Sequence, residues 1–275
     1  NIIQFIDTKN SNCMRSTHLY KYKRISVMKI ILSPTKKMKT DNDTFLAEDL
    51  PVFIDQSEEI LSWLRTLSEA ELKKLWNCND KIVKQNIERI QTMNLRKNLT
   101  PALFAYEGIA YQHMSPQVFE HSQIDYVKKY LRILSAFYGV LRPMDGVCSY
   151  RLEMQAKAYI NNHKDLYDLW GKRLYDALKD DDGIIINLAS KEYSKCIEKY
   201  LTSDNRYITV TFCEKSGDKL VSKGTYAKMA RGEMVRYMAE KNIQKPKQLY
   251  NFNSMGYHFR EDLSSDNEYV FERKP

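Results

Sequence analysis

The run Ile184-Ile185-Ile186-Asn187-Leu188 lies between Asp180-Asp181-Asp182-Gly183 and Ser190. A run of β-branched residues this short reads as a buried strand, and that ties the fold to a sheet packed inside other elements. Ile30–Leu32 reads as a second short apolar strand, ending at Ser33-Pro34 with Lys36 and Lys37 in the loop beyond. Tyr207–Phe212 alternates as a half-buried strand, Glu214–Asp218 makes a hairpin turn and Lys219–Val221 returns. Phe252–Phe259 and Glu268–Phe271 read as a closing strand pair, with Ser264–Asn267 as their turn.

Helical spacing occupies much of the rest. Ser57–Leu67 carries Ile60, Leu61 and Leu64 on one face, and Ser68 with Glu71 forms a capping box for the next helix. Lys81–Met93, Asp165–Leu178 and Tyr226–Lys241 also read as helices. Pro101–Tyr111 fits a strand or a short helix, and Ser115-Pro116 starts another turn. Ile124, Val127, Leu131, Leu134 and Tyr138, three or four apart, define one further helical face. Strands and helices alternate only partly. The expected fold class is therefore α+β, a single compact mixed α/β domain and not a doubly wound one.

With 275 residues, 43% of them apolar, the chain can bury a sizeable core. Its net charge of +8 suggests a polyanionic partner, but half of that charge sits in residues 1–27, where Lys9, Arg15, Lys21, Lys23 and Arg24 face only Asp7. Residues 1–27 read as an N-terminal extension, disordered or non-native, with Met28 as the native start of a domain over 28–275. The alternative is an ordered strand through Ile2, Ile3, Phe5 and Ile6. No secretory signal and no membrane span is expected. Five cysteines, an odd number without a CxxC pair, suit a reducing cytoplasm. The His and Cys spacings offer no metal site, and no motif implies a cofactor.

Four stretches carry possible chemistry. In RILSAFYGVLRPMDGVCSYRLEM, Gly139 follows the helical face and suits a φ > 0 cap, while Pro143 stops any continuation. A tight turn there would aim backbone N–H groups and Arg142 at a phosphate, in the manner of a helix-hairpin-helix. Leu141 departs from that pattern, and a plain capped helix fits the same residues. In KGTYAKMARGEMVRYMAEK, Lys228 and Arg231 fall at the edge of the apolar arc of Ala227, Met234, Val235 and Met238, with Glu233 and Glu240 opposite. Cations there suggest a basic cleft wall, or snorkelling side chains. NLASKEYSK places a helix start after the buried strand, where free N–H groups favour anions; Ser190, Lys191, Tyr193 and Lys195 would supplement it. It lacks P-loop glycines. Finally, Ser33-Pro34-Thr35-Lys36 puts a lysine at a strand end, as a nucleophile, an anion ligand or a surface residue.

From Met28 to Arg273 the chain resembles the YaaA family of bacterial cytoplasmic proteins. The matching phrases are MKIILSPTKKM, LRILSAFYGVLRPMDGVCSYRLEM, DLYDLWG, INLASKEYSK, YAKMARGEMVRYM and FNSMGYHF; Thr35 stands where the family usually has Ala. The resemblance implies a single mixed α/β domain with a basic cleft, and DNA binding aided by a helix-hairpin-helix-like element at about 125–144. It implies a role in protection from peroxide, associated with keeping reactive iron low. The DNA-binding candidates are Lys36, Gly139, Arg142, Arg151, Lys195, Lys228 and Arg231, with Glu153 orienting an arginine. The expected partner is DNA, bound through its phosphates, with distorted or non-duplex forms preferred. The alternative function is an enzyme acting on damaged or modified nucleic acid or a nucleotide, with Lys36 and Glu153 as the catalytic candidates. Direct iron binding finds no ligand cluster in the sequence.

Overall fold

The isoleucine run forms the central strand of an eight-stranded sheet in this computed structural model, which describes residues 28–41, 43–179, 183–217 and 219–274. Expectations for residues 1–27 lie outside the described residues. Across the sheet the order is Tyr257–Phe259, Glu268–Arg273, Arg206–Ser216, Ile184–Asn187, Met28–Leu32, Leu131–Ser135 and Gly139–Leu141, with Lys219–Val221 folded back on the Arg206–Ser216 strand. The strands from Glu268–Arg273 through Leu131–Ser135 are parallel; the remaining pairings are antiparallel.

Numbered along the chain, the parallel strands lie in the order 2-1-3-4-5, which is that of a doubly wound sheet. The expectation of a different arrangement is corrected to that extent. Residues 33–130, with several helices and two-residue strands, separate the first two parallel strands and hide the alternation. Antiparallel edges make the whole sheet mixed.

Ile30, Ile31 and Leu32 are each 0–1% exposed, and Ile184–Asn187 is wholly buried. Successive strand residues face opposite sides, so both faces are covered. The helices Ile109–Met114, His121–Tyr130 and Gly224–Glu240 pack together, and Arg173–Leu178 packs on Lys191–Glu198. Ile54–Thr66, Glu69–Trp76 and Asp80–Thr92 form a further cluster, with the Ser68–Glu71 capping box in place. The segment expected as one helix over 165–178 is split into Leu166–Trp170 and Arg173–Leu178 by Gly171, at φ +51°.

The helix-hairpin-helix expectation is overturned. The helix ends at Tyr130, and 131–141 is a β-hairpin pairing Ile133 with Leu141 and Ser135 with Gly139. Apolar spacing over 124–138 fits a helix, but Leu131, Ile133 and Leu134 are all fully buried, as in a strand covered on both faces. Gly139 does take φ +75°, as the first residue of the return strand. Ser135 Oγ accepts the turn N–H groups of Phe137 and Tyr138, so they are not offered to a phosphate. Trp170, Phe53 and Leu174 press on Gly139, and Trp170 Nε1 donates to the Ala136 carbonyl at 2.9 Å.

Candidate functional site at the carboxyl end of the sheet

In a 2-1-3-4-5 sheet the strand order reverses between the first and third parallel strands, and ligands favour the crevice beyond their carboxyl ends. Here those ends are Ser33–Lys36 and Leu188–Ser190. Ser33 Oγ accepts the Ser190 N–H at 2.8 Å and donates to Ser190 Oγ at 3.2 Å, which ties the two ends together. A cavity of about 400 Å³ opens there, lined by both serines, Lys36, Tyr150, Arg151, Glu153, Tyr193, Lys228 and Arg231 among others.

Close backbone packing shapes its walls. A Cβ on Gly108 would stand 2.5 Å from Thr35 Cγ2, so glycine lets the Glu107–Ala110 segment lie against the strand-end loop without displacing the Thr35 side chain. A Cβ on Gly232 would lie 1.9 Å from the Ala110 carbonyl oxygen; the missing side chain lets Gly224–Glu240 press on Ile109–Met114 and bring Lys228 and Arg231 to the rim. Glu233, expected on a solvent face, is half-buried and bonds His113 at 3.0 Å and Ser254 at 3.1 Å. The Tyr150 hydroxyl lies 2.7 Å from Ser135 Oγ and 3.0 Å from the Tyr106 hydroxyl, which anchors its ring to the hairpin.

Five cations and three carboxylates line the cavity. Glu153 joins Lys36 at 2.8 Å and Arg151 at 3.3 Å, and Lys37 pairs with Glu107 at 3.0 Å. Glu192 is held by the Gln155 N–H at 3.3 Å, and burial, with Glu153 nearby, pushes its carboxyl up. Lys228 and Arg231 make no ion pair among the described residues. Arg231 Nε is buried without a hydrogen-bond partner, as is Arg151 Nε. Burial works against the charged form of the Arg231 guanidinium, which nonetheless stays protonated at neutral pH.

The cavity opens beside a groove. Three adjoining depressions that share lining residues make up this groove: the first has Lys36, Glu153, Trp63, Lys74 and Tyr159, the second Lys157, Lys164 and Tyr167, and the third Lys191, Lys195 and Tyr200, with Glu71, Asp165, Glu192 and Glu198 also in their walls. Tyr159 is 69% exposed. Lys74, Lys157, Lys164 and Lys195 make no ion pair among the described residues, whereas Lys191 pairs with Glu198.

Of the sequence candidates, Lys36, Arg151, Glu153, Lys228 and Arg231 meet at the cavity, and Lys195 lies on the groove. Gly139 and Arg142 belong to neither. Arg142 instead pairs with Asp145 at 2.8 Å and Asp49 at 3.2 Å. Tyr150, Glu192 and the groove aromatics were not singled out as site residues, although Lys157-Ala158-Tyr159 and Lys164-Asp165-Leu166-Tyr167 interleave lysine with tyrosine in plain view.

Among the described residues no group of three or more His, Cys, Asp or Glu is placed to hold a metal ion. None of their helices is long and apolar enough to cross a membrane.

Comparison with known proteins accounts for nearly the same span as these elements. The sequence model of the family described as "Peroxide stress protein YaaA" matches residues 28–263. A UPF0246 protein of Agathobacter rectalis is 61% identical over 247 residues, covering 90% of this chain and 99% of the relative. UPF0246 proteins of Lachnoclostridium phytofermentans and Ligilactobacillus salivarius are 50% and 49% identical, each over 89% of this chain and 96% and 99% of their own length. With its match running from the first parallel strand to beyond the Gly224–Glu240 helix, this chain belongs to the YaaA peroxide stress protein family.

Proposed function

We propose that this protein serves peroxide defence in the cytoplasm by binding DNA as an unpaired or distorted strand laid along the groove. The observation that carries this reading is the line of one exposed and three half-buried rings, Tyr159 with Trp63, Tyr167 and Tyr200, beside the lysines Lys74, Lys157, Lys164 and Lys195, which make no ion pair among the described residues. Phosphates follow a positive track, and bases freed from pairing stack on aromatic faces. A duplex keeps its bases stacked on one another and cannot use those rings. Lys36 and Lys195 lie on the strand's path. Iron and peroxide together generate radicals that break DNA, so covering exposed strand is protective where reactive iron is high. The proposal gives the protein no iron site of its own.

Thiol chemistry at Cys148, Cys196 or Cys213 explains the peroxide link less well. Burial pushes the Cys148 thiol up to about 11 and the Cys196 thiol up to about 12, and it raises Cys213 too. The thiolate is the form that attacks peroxide, and at neutral pH these groups keep their protons.

A second reading, an enzyme acting on nucleic acid or a nucleotide, is favoured by the Lys36–Glu153 contact at 2.8 Å. The same contact engages the Lys36 amine with Glu153, and the amine must leave that partner before it can act as a nucleophile.

The test is fluorescence anisotropy of single-stranded, bulged and duplex DNA across a salt series. Single strands are expected to bind tighter than duplex, with log affinity falling linearly in log salt. Replacing Lys157, Lys164 and Lys195 by alanine together should flatten that slope by about 2. Tyr159→Ala should weaken single-strand binding by about 1–3 kcal/mol. A salt-independent signal, or variants that bind like the parent, would exclude the groove.

A further inference from the structure

We propose that the cavity is a binding site of its own for a phosphorylated small molecule of mononucleotide size, and that Lys228 and Arg231 hold its phosphate. This goes beyond strand binding and stands or falls without it, because it rests on the cavity and not on the groove.

Four observations converge. The first is place: the cavity lies where the parallel strand order reverses, beyond the carboxyl ends of the Met28–Leu32 and Ile184–Asn187 strands. The second is size. About 400 Å³ suits one nucleotide-sized ligand and excludes a duplex.

The third is unmet polarity. Lys36 and Arg151 share Glu153 and Lys37 pairs with Glu107, but Lys228 and Arg231, one helical turn apart, pair with no carboxylate among the described residues. Arg231 Nε is also desolvated without a partner. That atom is closed to a ligand, but the guanidinium charge has no carboxylate beside it among the described residues, and an anion in the cavity would supply the counter-charge. Such a site favours a dianion over a neutral ligand.

The fourth is the distribution of groups around the cavity. The Ser33 and Ser190 hydroxyls lie at the strand ends, and no side chain caps the helix that starts after Ser190. Tyr150 and Tyr193 add apolar ring surface to the lining. Cations on one helix with rings elsewhere in the lining match a ligand that joins a phosphate to a flat, largely apolar body. A nucleoside 5′-monophosphate has that chemistry.

Calorimetric titration of the full chain tests this with inorganic phosphate, adenosine and the common nucleoside 5′-monophosphates. At least one monophosphate is expected to bind and to raise the unfolding temperature. Adenosine should not bind at the same concentration, and inorganic phosphate should bind more weakly than the monophosphate. Lys228→Gln and Arg231→Gln should each lower monophosphate affinity about tenfold, the loss of one charged hydrogen bond. Lys228 is exposed, so its variant keeps the test valid should the Arg231 variant fold poorly. The proposal is overturned if no monophosphate binds at millimolar concentration, if adenosine binds equally well, or if the Lys228 variant binds like the parent. It is also overturned if inorganic phosphate binds as tightly as any monophosphate, which would mark a bare anion site. Strand affinity measured on the same preparations reports on the groove separately, so either reading can fail alone.

Discussion

Gly232→Ala is expected to destabilise the protein by about 3 kcal/mol, although alanine is the better helix former. In an exposed helix the exchange would stabilise by about 1 kcal/mol. Here the new Cβ would lie 1.9 Å from the Ala110 carbonyl oxygen, and the obstacle is backbone, which no rotamer change removes. Gly224–Glu240 would have to lift off Ile109–Met114. The same helix buries Ala227, Ala230, Met234, Val235 and Met238, so its shift would disturb that packing as well. For a domain of this size the loss corresponds to a fall of about 6–12 °C in unfolding midpoint. The same displacement carries Lys228 and Arg231 away from the rim, so the fraction that still folds should bind monophosphate poorly. Scanning calorimetry decides the matter: a midpoint equal to or above the parent's would mean that the helices are not in close contact here.

Sequence periodicity reveals elements whose pattern has one explanation. The isoleucine run, the Ser68–Glu71 capping box and the Gly224–Glu240 helix all stand where local chemistry places them. It fails at residues 131–138, because full burial on both faces removes the alternation that distinguishes a strand from a helix. Gly139 shows how a correct local inference can serve a wrong element: its positive φ was legible, and the return strand it starts was not. The site divides in the same way. Lys228 and Arg231 edge an apolar arc in the sequence, a pattern that fits a cleft wall or snorkelling side chains, and in the structure both line the cavity. The Lys36–Glu153 contact joins residues far apart in sequence, and only the sheet brings their loops together. Doubly wound order was hidden for the same reason, since strand order is a long-range property that no local window contains.

Arg142→Ala should separate a structural arginine from a DNA-contacting one, through its pH dependence. Arg142 holds Asp145, whose side chain is 1% exposed, through its backbone N–H at 2.8 Å and its Nε at 2.8 Å. Burial pushes the Asp145 carboxyl up to about 6, against the opposing pull of Arg142. Between the ordinary carboxylate range near 4 and this value, the folded state binds the proton and the unfolded state has released it. The contribution of Asp145 to stability therefore falls as pH rises through that window, and it is more favourable below it. Removing Arg142 takes away the cation that offsets the buried charge, and it raises the carboxyl's pKa further. At pH 8 the expected loss is about 3 kcal/mol, the low end for a broken buried pair because the Arg142 side chain is 40% exposed and the backbone N–H bond remains. At pH 5 the variant's carboxyl is protonated and the loss should shrink by at least half. Urea unfolding at the two pH values measures both. Single-strand affinity per folded molecule should stay at the parent's level, since Arg142 lies on neither the cavity nor the groove. An equal loss at both pH values would remove Asp145 from the account, and a loss of strand binding without a loss of stability would return Arg142 to the nucleic-acid interface.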